Sequence, residues 1–199
     1  MTAAETFEEV WPNVFRWEAF SPEHKVELTS HAVVSGGRLY IFDPIPLAAA
    51  ALADLQTRGT PVAIVLTNGH HERDAAQWRN RWPVPIWASA EAQLDLSGLH
   101  HFPPGQFGWQ DTWTLHPIHG GSPGEIAFRS TSQPLVILGD AIVNLPGRDL
   151  ELLPAKYCRD PIALRQSLRQ LIHEPFDRLL LAHGAPLPRY ASAEIARLL

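Results

Sequence analysis

The chain has 199 residues and one cysteine, Cys158. A disulfide within the chain is excluded, which fits a protein kept in a reducing cytoplasm. Cys158 itself reads as a small, half-buried side chain. No stretch approaches the ~20 consecutive apolar residues of a membrane span, so no membrane role is expected. Residues 1–9 are acidic, whereas a secretory signal needs a basic start and an apolar run. Clustered Lys and Arg are scarce too. The formal net charge is −5, and the one local basic group, Arg73, Arg79 and Arg81, reads as a solvated helix face. Nucleic-acid binding leans on a basic patch, so no such partner is expected. Two catalytic patterns are missing. Gly121-Ser122-Pro123 is not a Gly-x-Ser-x-Gly elbow, and no Lys-Ser/Thr follows Gly120-Gly121 as in a phosphate-binding loop. Repeats and low-complexity tracts are absent. The chain has 18 prolines, and the excess over the usual ~5% sits between elements, as at Pro83, Pro103-Pro104 and Pro186, where it marks loops. The length suits one domain, residues 1–199.

What is present is a set of apolar runs that end in chemistry. Val62 to Leu66 has the β-branched content of a buried strand. It leads into Thr67-Asn68-Gly69-His70-His71-Glu72-Arg73-Asp74, where two imidazoles, two carboxylates and a guanidinium fall within five residues. Leu135 to Leu138 ends in Gly139-Asp140, and Leu179 to Ala182 ends in His183-Gly184. Polar clusters at the C-terminal ends of buried strands are where α/β proteins usually place their chemistry. Imidazole nitrogens with carboxylate oxygens suit zinc, manganese or iron.

The remaining chain alternates strands and helices. Val14–Phe20 reads as an edge strand. Val26–Val34 and Leu39–Phe42 form a hairpin across Gly36-Gly37, ending at Asp43, which either supports a site or caps the next helix. Helices are expected over 47–57, 75–81 and 90–96, with Ser89 capping the last of these. Short strands are expected at 84–88, 113–116, 125–129 and 134–138. Residues 97–108 read as loop, with His100, His101, Pro103 and Pro104 exposed, and 147–157 as an irregular flap. Asp160-Pro161 starts a helix to His173 with Leu164, Leu168 and Leu171 on one face. A closing helix covers 191–199. Strand–helix–strand–helix order over 61–96 implies parallel pairing, and the pattern as a whole implies α/β.

In its landmarks the chain resembles the metallo-β-lactamase superfamily. The order is Thr67 to Arg73, the turn Gly120-Gly121-Ser122-Pro123-Gly124, Gly139-Asp140, and His183-Gly184. The resemblance implies an αββα four-layer sandwich and a two-metal site bridged by the Gly-Asp carboxylate. Counted from Thr67, the family's first His is Asn68, its second His70, its Asp Glu72 and its third His Arg73. The turn His falls on Gly121, while Asp140 and His183 match. A register two residues later would align His70, Glu72 and Asp74 instead, at the expense of Thr67. On the first count the first metal site keeps two ligands, and three protein ligands plus water make a working site. The resemblance therefore implies one divalent metal, zinc or else manganese or iron, or none. The candidate ligands are His70, Asp140, His183 and Glu72, with His71 or His119 as a further nitrogen.

Two functions fit these residues. In the first, a cytoplasmic hydrolase uses one metal to activate water against an ester, lactone, thioester or phosphodiester. Asp140 serves the chemistry, and Arg73, if it faces inward, steadies an anion. In the second, the fold is a non-catalytic domain that binds a small molecule or a protein partner without metal, its carboxylates paired with Arg73 and the histidines. A homodimer is compatible with either, given five tryptophans at 78, 82, 87, 109 and 113, though most Trp residues are simply core.

Overall fold

A computed structural model describes residues 1–103, 105 and 107–199, residue 107 by its backbone alone. Pro104 of the expected 97–108 loop lies outside the described residues. The chain forms two compact units. One contains Met1–Leu66, His71–Ala88 and Leu94–Phe102. The other contains Thr67–His70, Ser89–Gln93 and Pro103–Leu199.

The first unit is built on a seven-stranded sheet whose strands lie in chain order. They are β1 (Glu8–Trp11), β2 (Val14–Ser21), β3 (Val26–Ser35), β4 (Arg38–Phe42), β5 (Thr60–Val65), β6 (Ile86–Ser89) and β7 (Leu99–Phe102). Pairing is antiparallel from β1 to β4 and parallel from β4 to β6. Parallel strands need crossovers, supplied by α1 (Ala49–Thr57) and α2 (Ala75–Arg81). The β3–β4 hairpin turns at Gly36 and Gly37, whose φ of 56° and 76° are the positive values a tight primed turn demands. Trp17 and Trp78 stack at 5.4 Å, and both indole N–H groups donate to the Ile45 carbonyl. That shared acceptor ties α2 to the segment after β4, two residues beyond Asp43.

The second unit carries β8 (Phe107–Trp109), β9 (Trp113–Ile118), β10 (Glu125–Ser130), β11 (Leu135–Leu138), the short hairpin β12 (Ile142–Val143) and β13 (Glu151–Leu152), and β14 (Arg178–Leu181). Its five-stranded sheet has the order β14-β11-β10-β9-β8. Only β11 and β14 pair in parallel, and α3 (Pro161–Leu171) lies in their crossover, with α4 (Ala191–Leu198) closing the chain. Asp160 caps α3 as its sequence implies, accepting from the Ile162 and Ala163 amides at 2.9 and 3.0 Å. Leu164, Leu168 and Leu171 are buried in one cluster with Val136, Leu138, Leu179 and Leu181. Burying each such side chain contributes about 1.5–3 kcal/mol.

Four elements depart from the sequence reading. Val14–Phe20 is not an edge strand, because acidic Glu8–Trp11 pairs outside it as β1. The helix expected over 90–96 is a single 3-10 turn, Ala90–Ala92, ended by Gln93 in the left-handed region. This segment is held between two glycine turns. A Cβ on Gly69 would lie 2.4 Å from the Ala92 carbonyl oxygen, and one on Gly124 would lie 2.4 Å from the Ala92 nitrogen. The 97–108 loop contains β7 and β8, and β7 is fixed by ring packing, with His100 and Phe102 stacked on Trp87 at 5.1 and 5.3 Å. The 147–157 flap is instead part of the second unit's packing. Leu150, Leu152 and Leu153 contact its core cluster, and the Leu153 amide donates to the Ala141 carbonyl at 3.0 Å.

Two stability experiments follow. A Cβ on Gly184, at φ 98°, would lie 1.8 Å from the Asn144 carbonyl oxygen, so Gly184→Ala should lose about 3 kcal/mol or more in a urea titration, as backbone clashes in strained conformations do. Burial, reinforced by Arg129 and opposed by Glu174, holds His116 below the ordinary imidazole value. The unfolded chain then takes up this proton more readily than the folded one. Stability from His116 is complete above pH ~6.5 and lost as pH falls through the lower folded value. His116→Gln should flatten the acid limb of the denaturation midpoint plotted against pH.

Candidate metal centre

In the second unit the polar cluster grows from Thr67 and Asn68, both wholly buried. The Thr67 carbonyl accepts from the Ile126 amide at 2.8 Å, and the Gly69 amide donates to the Pro123 carbonyl at 2.8 Å. The motif is thereby stitched to the 122–126 turn. Asn68 Oδ1 accepts from the His70 amide at 2.8 Å. That bond orients the carboxamide, so Nδ2 is left to donate to Asp140 Oδ2 at 3.2 Å. Ser122 Oγ donates to the same oxygen at 2.7 Å. The other oxygen, Oδ1, lies 3.2 Å from His183 Nε2.

Gly139 makes this convergence possible. A Cβ there would stand 2.7 Å from Thr67 Oγ1 and 2.8 Å from Asn68 Nδ2. His183 follows β14, and its carbonyl accepts from the Asn144 amide at 3.1 Å. Glu125 opens β10 and is buried, with Oε1 accepting from the Ala141 amide at 2.9 Å. Its Oε2 stands 3.2 Å from where a Gly121 Cβ would be. The position that the family count gives to the turn His is thus bordered by a carboxylate.

In the first unit His71 is the buried imidazole of the motif, 3% exposed. Its Nδ1 lies 2.9 Å from Asp43 Oδ2, while its Nε2 lies 3.3 Å from Arg73 Nη2. Arg73 Nη1 donates to the Thr29 carbonyl at 2.7 Å and to the Asp43 carbonyl at 3.0 Å. Asp43 and Arg73 both adopt left-handed φ, 47° and 43°. Such values are uncommon for residues other than glycine and tend to gather at functional sites.

The expected site residues therefore separate. Asp140 and His183 come together. His70 and Glu72 are exposed, so the buried ring of the motif sits one residue later than the family count places it. Arg73 is turned into its unit, clasping backbone carbonyls and an imidazole. His119 is exposed, with its amide donating to Ser167 Oγ. Of the two roles open to Asp43, the structure shows the carboxylate oriented on His71, while α1 is preceded by Ala48 with no side-chain cap. The sequence alone does not mark Ser122 and Glu125 as members of this cluster. For Glu125 a signal existed, a carboxylate opening the otherwise apolar run Ile126-Ala127-Phe128. Ser122 stands in the landmark turn, but nothing local marks its approach to Asp140.

No protein-family model matches the chain, and no curated protein matches it either. Solved structures do. The DIM-1 metallo-β-lactamase superposes with a TM-score of 0.78 over 100% of this chain and 98% of its own, at 14% identity. FIM-1 from Pseudomonas aeruginosa, a metallo-β-lactamase in its mono-zinc form, gives 0.76 over 99% and 95%, also at 14% identity. The B3 metallo-β-lactamase BLEG-1 gives 0.67 over 86% and 92%, at 15%.

Removing one donor from a buried carboxylate costs about 1–3 kcal/mol. Ser122→Ala and Asn68→Ala should each lose that much in urea denaturation. Because they share Asp140 Oδ2, the double variant should depart from additivity.

Proposed function

The chain has the metallo-β-lactamase fold, an α/β sandwich, and on that premise we propose that it is a metal-dependent hydrolase with a single metal ion. The observation that carries the reading is the division of labour on Asp140. Asn68 and Ser122 both address Oδ2, while Oδ1 faces His183 Nε2. A carboxylate whose second oxygen already accepts two hydrogen bonds is suited to offer one oxygen to one ion, not to bridge two.

The donor set fits zinc, with manganese or iron as alternatives: a carboxylate oxygen from Asp140, an imidazole nitrogen from His183, and a third donor from the motif. In the first unit His71 is the buried imidazole of the motif, whereas His70 and Glu72 are exposed. Asp43 orients the His71 ring as carboxylates orient metal-ligating histidines. A bound ion of this kind polarises a carbonyl or phosphoryl oxygen and brings the pKa of water to near 7. The chain's own residues prepare for that charge. Asn68 and Ser122 hold Asp140 in place through Oδ2, and Asp43 holds the His71 ring through Nδ1. The substrate class is an ester, lactone, thioester or phosphodiester. Among the described residues no helix is long and apolar enough to cross a membrane, and a cytoplasmic setting suits the lone Cys158.

A specific feature also favours the non-catalytic reading. Asp140 and His71 both have hydrogen-bonding partners without any metal, as a metal-free binding domain would need. Elemental analysis separates the two. Protein purified without chelator and incubated with zinc should retain one equivalent after desalting. His183→Ala and Asp140→Ala should lose it. A panel of the four substrate classes should show hydrolysis that a chelator abolishes and zinc restores. Failure of the wild type to retain any zinc, manganese or iron would sink the hydrolase reading.

A further inference from the structure

We propose that Arg73 is a resident competitor for metal at His71: its guanidinium caps the imidazole nitrogen that Asp43 has prepared for coordination. The inference rests on the hydrolase reading only in taking His71 as a ligand.

The hydrogen-bond roles are forced. Guanidinium has donors and no acceptor, so with Arg73 Nη2 3.3 Å from His71 Nε2, Nε2 must present its lone pair. The imidazole proton then sits on Nδ1 and is donated to Asp43 Oδ2 at 2.9 Å. Carboxylate, protonated Nδ1 and bare Nε2 form the arrangement in which histidines bind metals, because the carboxylate fixes the tautomer and raises the basicity of the outer nitrogen. Here that lone pair faces a permanent cation.

Arg73 is also anchored. Nη1 bonds the Thr29 and Asp43 carbonyls at 2.7 and 3.0 Å, so Asp43 holds the imidazole with its carboxylate and the guanidinium with its backbone. Thr29, Asp43 and His71 are all buried. An ion reaching Nε2 must displace the guanidinium from these acceptors and meet its charge, which does not titrate away at any ordinary pH. The open form, with Arg73 swung out, is the competent one, and the apparent metal affinity falls in proportion to its population. The sequence count places Arg73 where a third histidine would ligate. The geometry instead gives it control over the neighbouring histidine.

The test is chelator competition for zinc, which needs no substrate. Arg73→Met keeps the length of the stem and removes the cation. It should bind zinc about tenfold tighter than wild type or more, the scale on which groups surrounding a ligand alter affinity. Adding His71→Ala to that variant should abolish the gain. Equal affinities for wild type and Arg73→Met overturn the proposal, as does a gain that survives His71→Ala. Should Arg73→Met melt below working temperature, nitrogen-detected NMR of the wild-type ring decides. His71 Nε2 should resonate as an unprotonated nitrogen, and zinc should shift it together with the Arg73 guanidinium signals. A protonated Nε2, or zinc that leaves the guanidinium unchanged, overturns the proposal equally. If the affinities differ as expected while no substrate is hydrolysed, the competition stands and only the hydrolase reading fails.

Discussion

Two buried carboxylates dictate the local structure around them. Asp43 and Asp140 are 2% and 7% exposed, and an ionised carboxylate away from water is tolerated only if donors or cations surround it. In the second unit that demand organises three distant stretches of chain. Asn68 arrives after β5, Ser122 from the turn before β10 and His183 from the end of β14, all directed at one residue after β11. Gly139 has no side chain because Thr67 and Asn68 occupy the space. In the first unit Asp43 is met by His71, and its carbonyl by Arg73 and Ser30. These are charge-assisted or fully buried bonds, the kind whose loss is felt.

The fold was largely legible because its signals are redundant. Apolar runs of strand length, the Gly36-Gly37 turn, the Asp160-Pro161 helix start and the leucine stripe of α3 each follow from local chemistry and agree with one another. The misreadings share a cause, since each element is decided by distant residues. Ala90–Ala92 stops after one turn because the Gly69 and Gly124 backbones press against Ala92. Leu99–Phe102 becomes a strand because Trp87 offers a ring to stack on. No window of sequence around either segment contains that information.

The site divides along the same line. Asp140 and His183 could be found from sequence because each ends an apolar strand. His71 could not be ranked above His70, since adjacent imidazoles in a loop differ only in which way the backbone turns them. Left-handed Arg73 and the Asp43 carboxylate, the latter 28 positions away, make His71 the buried ring of the pair. Glu125 and Ser122 matter only through what they approach in space.

The departures from the family's ligand pattern then acquire a common physical sense. A carboxylate oxygen can be satisfied by a metal ion or by N–H and O–H donors, and an imidazole lone pair by a metal ion or by a guanidinium. At Asn68 and Arg73 the chain carries a carboxamide and a guanidinium where the family count expects histidines, and both act as donors toward acceptors that a cation could otherwise serve. Such a chain folds with its buried acceptors answered before any metal arrives. For an ion bound as proposed above, affinity is a difference between two satisfied states, set by what the ion must displace. The two substitutions are not equivalent in this respect. Asn68 is neutral, is locked by the His70 amide and leaves Asp140 Oδ1 to His183, so it restricts how Asp140 can ligate without opposing an ion. Arg73 carries a fixed charge held by the Thr29 and Asp43 carbonyls, and in the competition proposed above it opposes the ion directly. On the one-metal reading proposed above, the first residue limits how Asp140 ligates and the second governs access to His71.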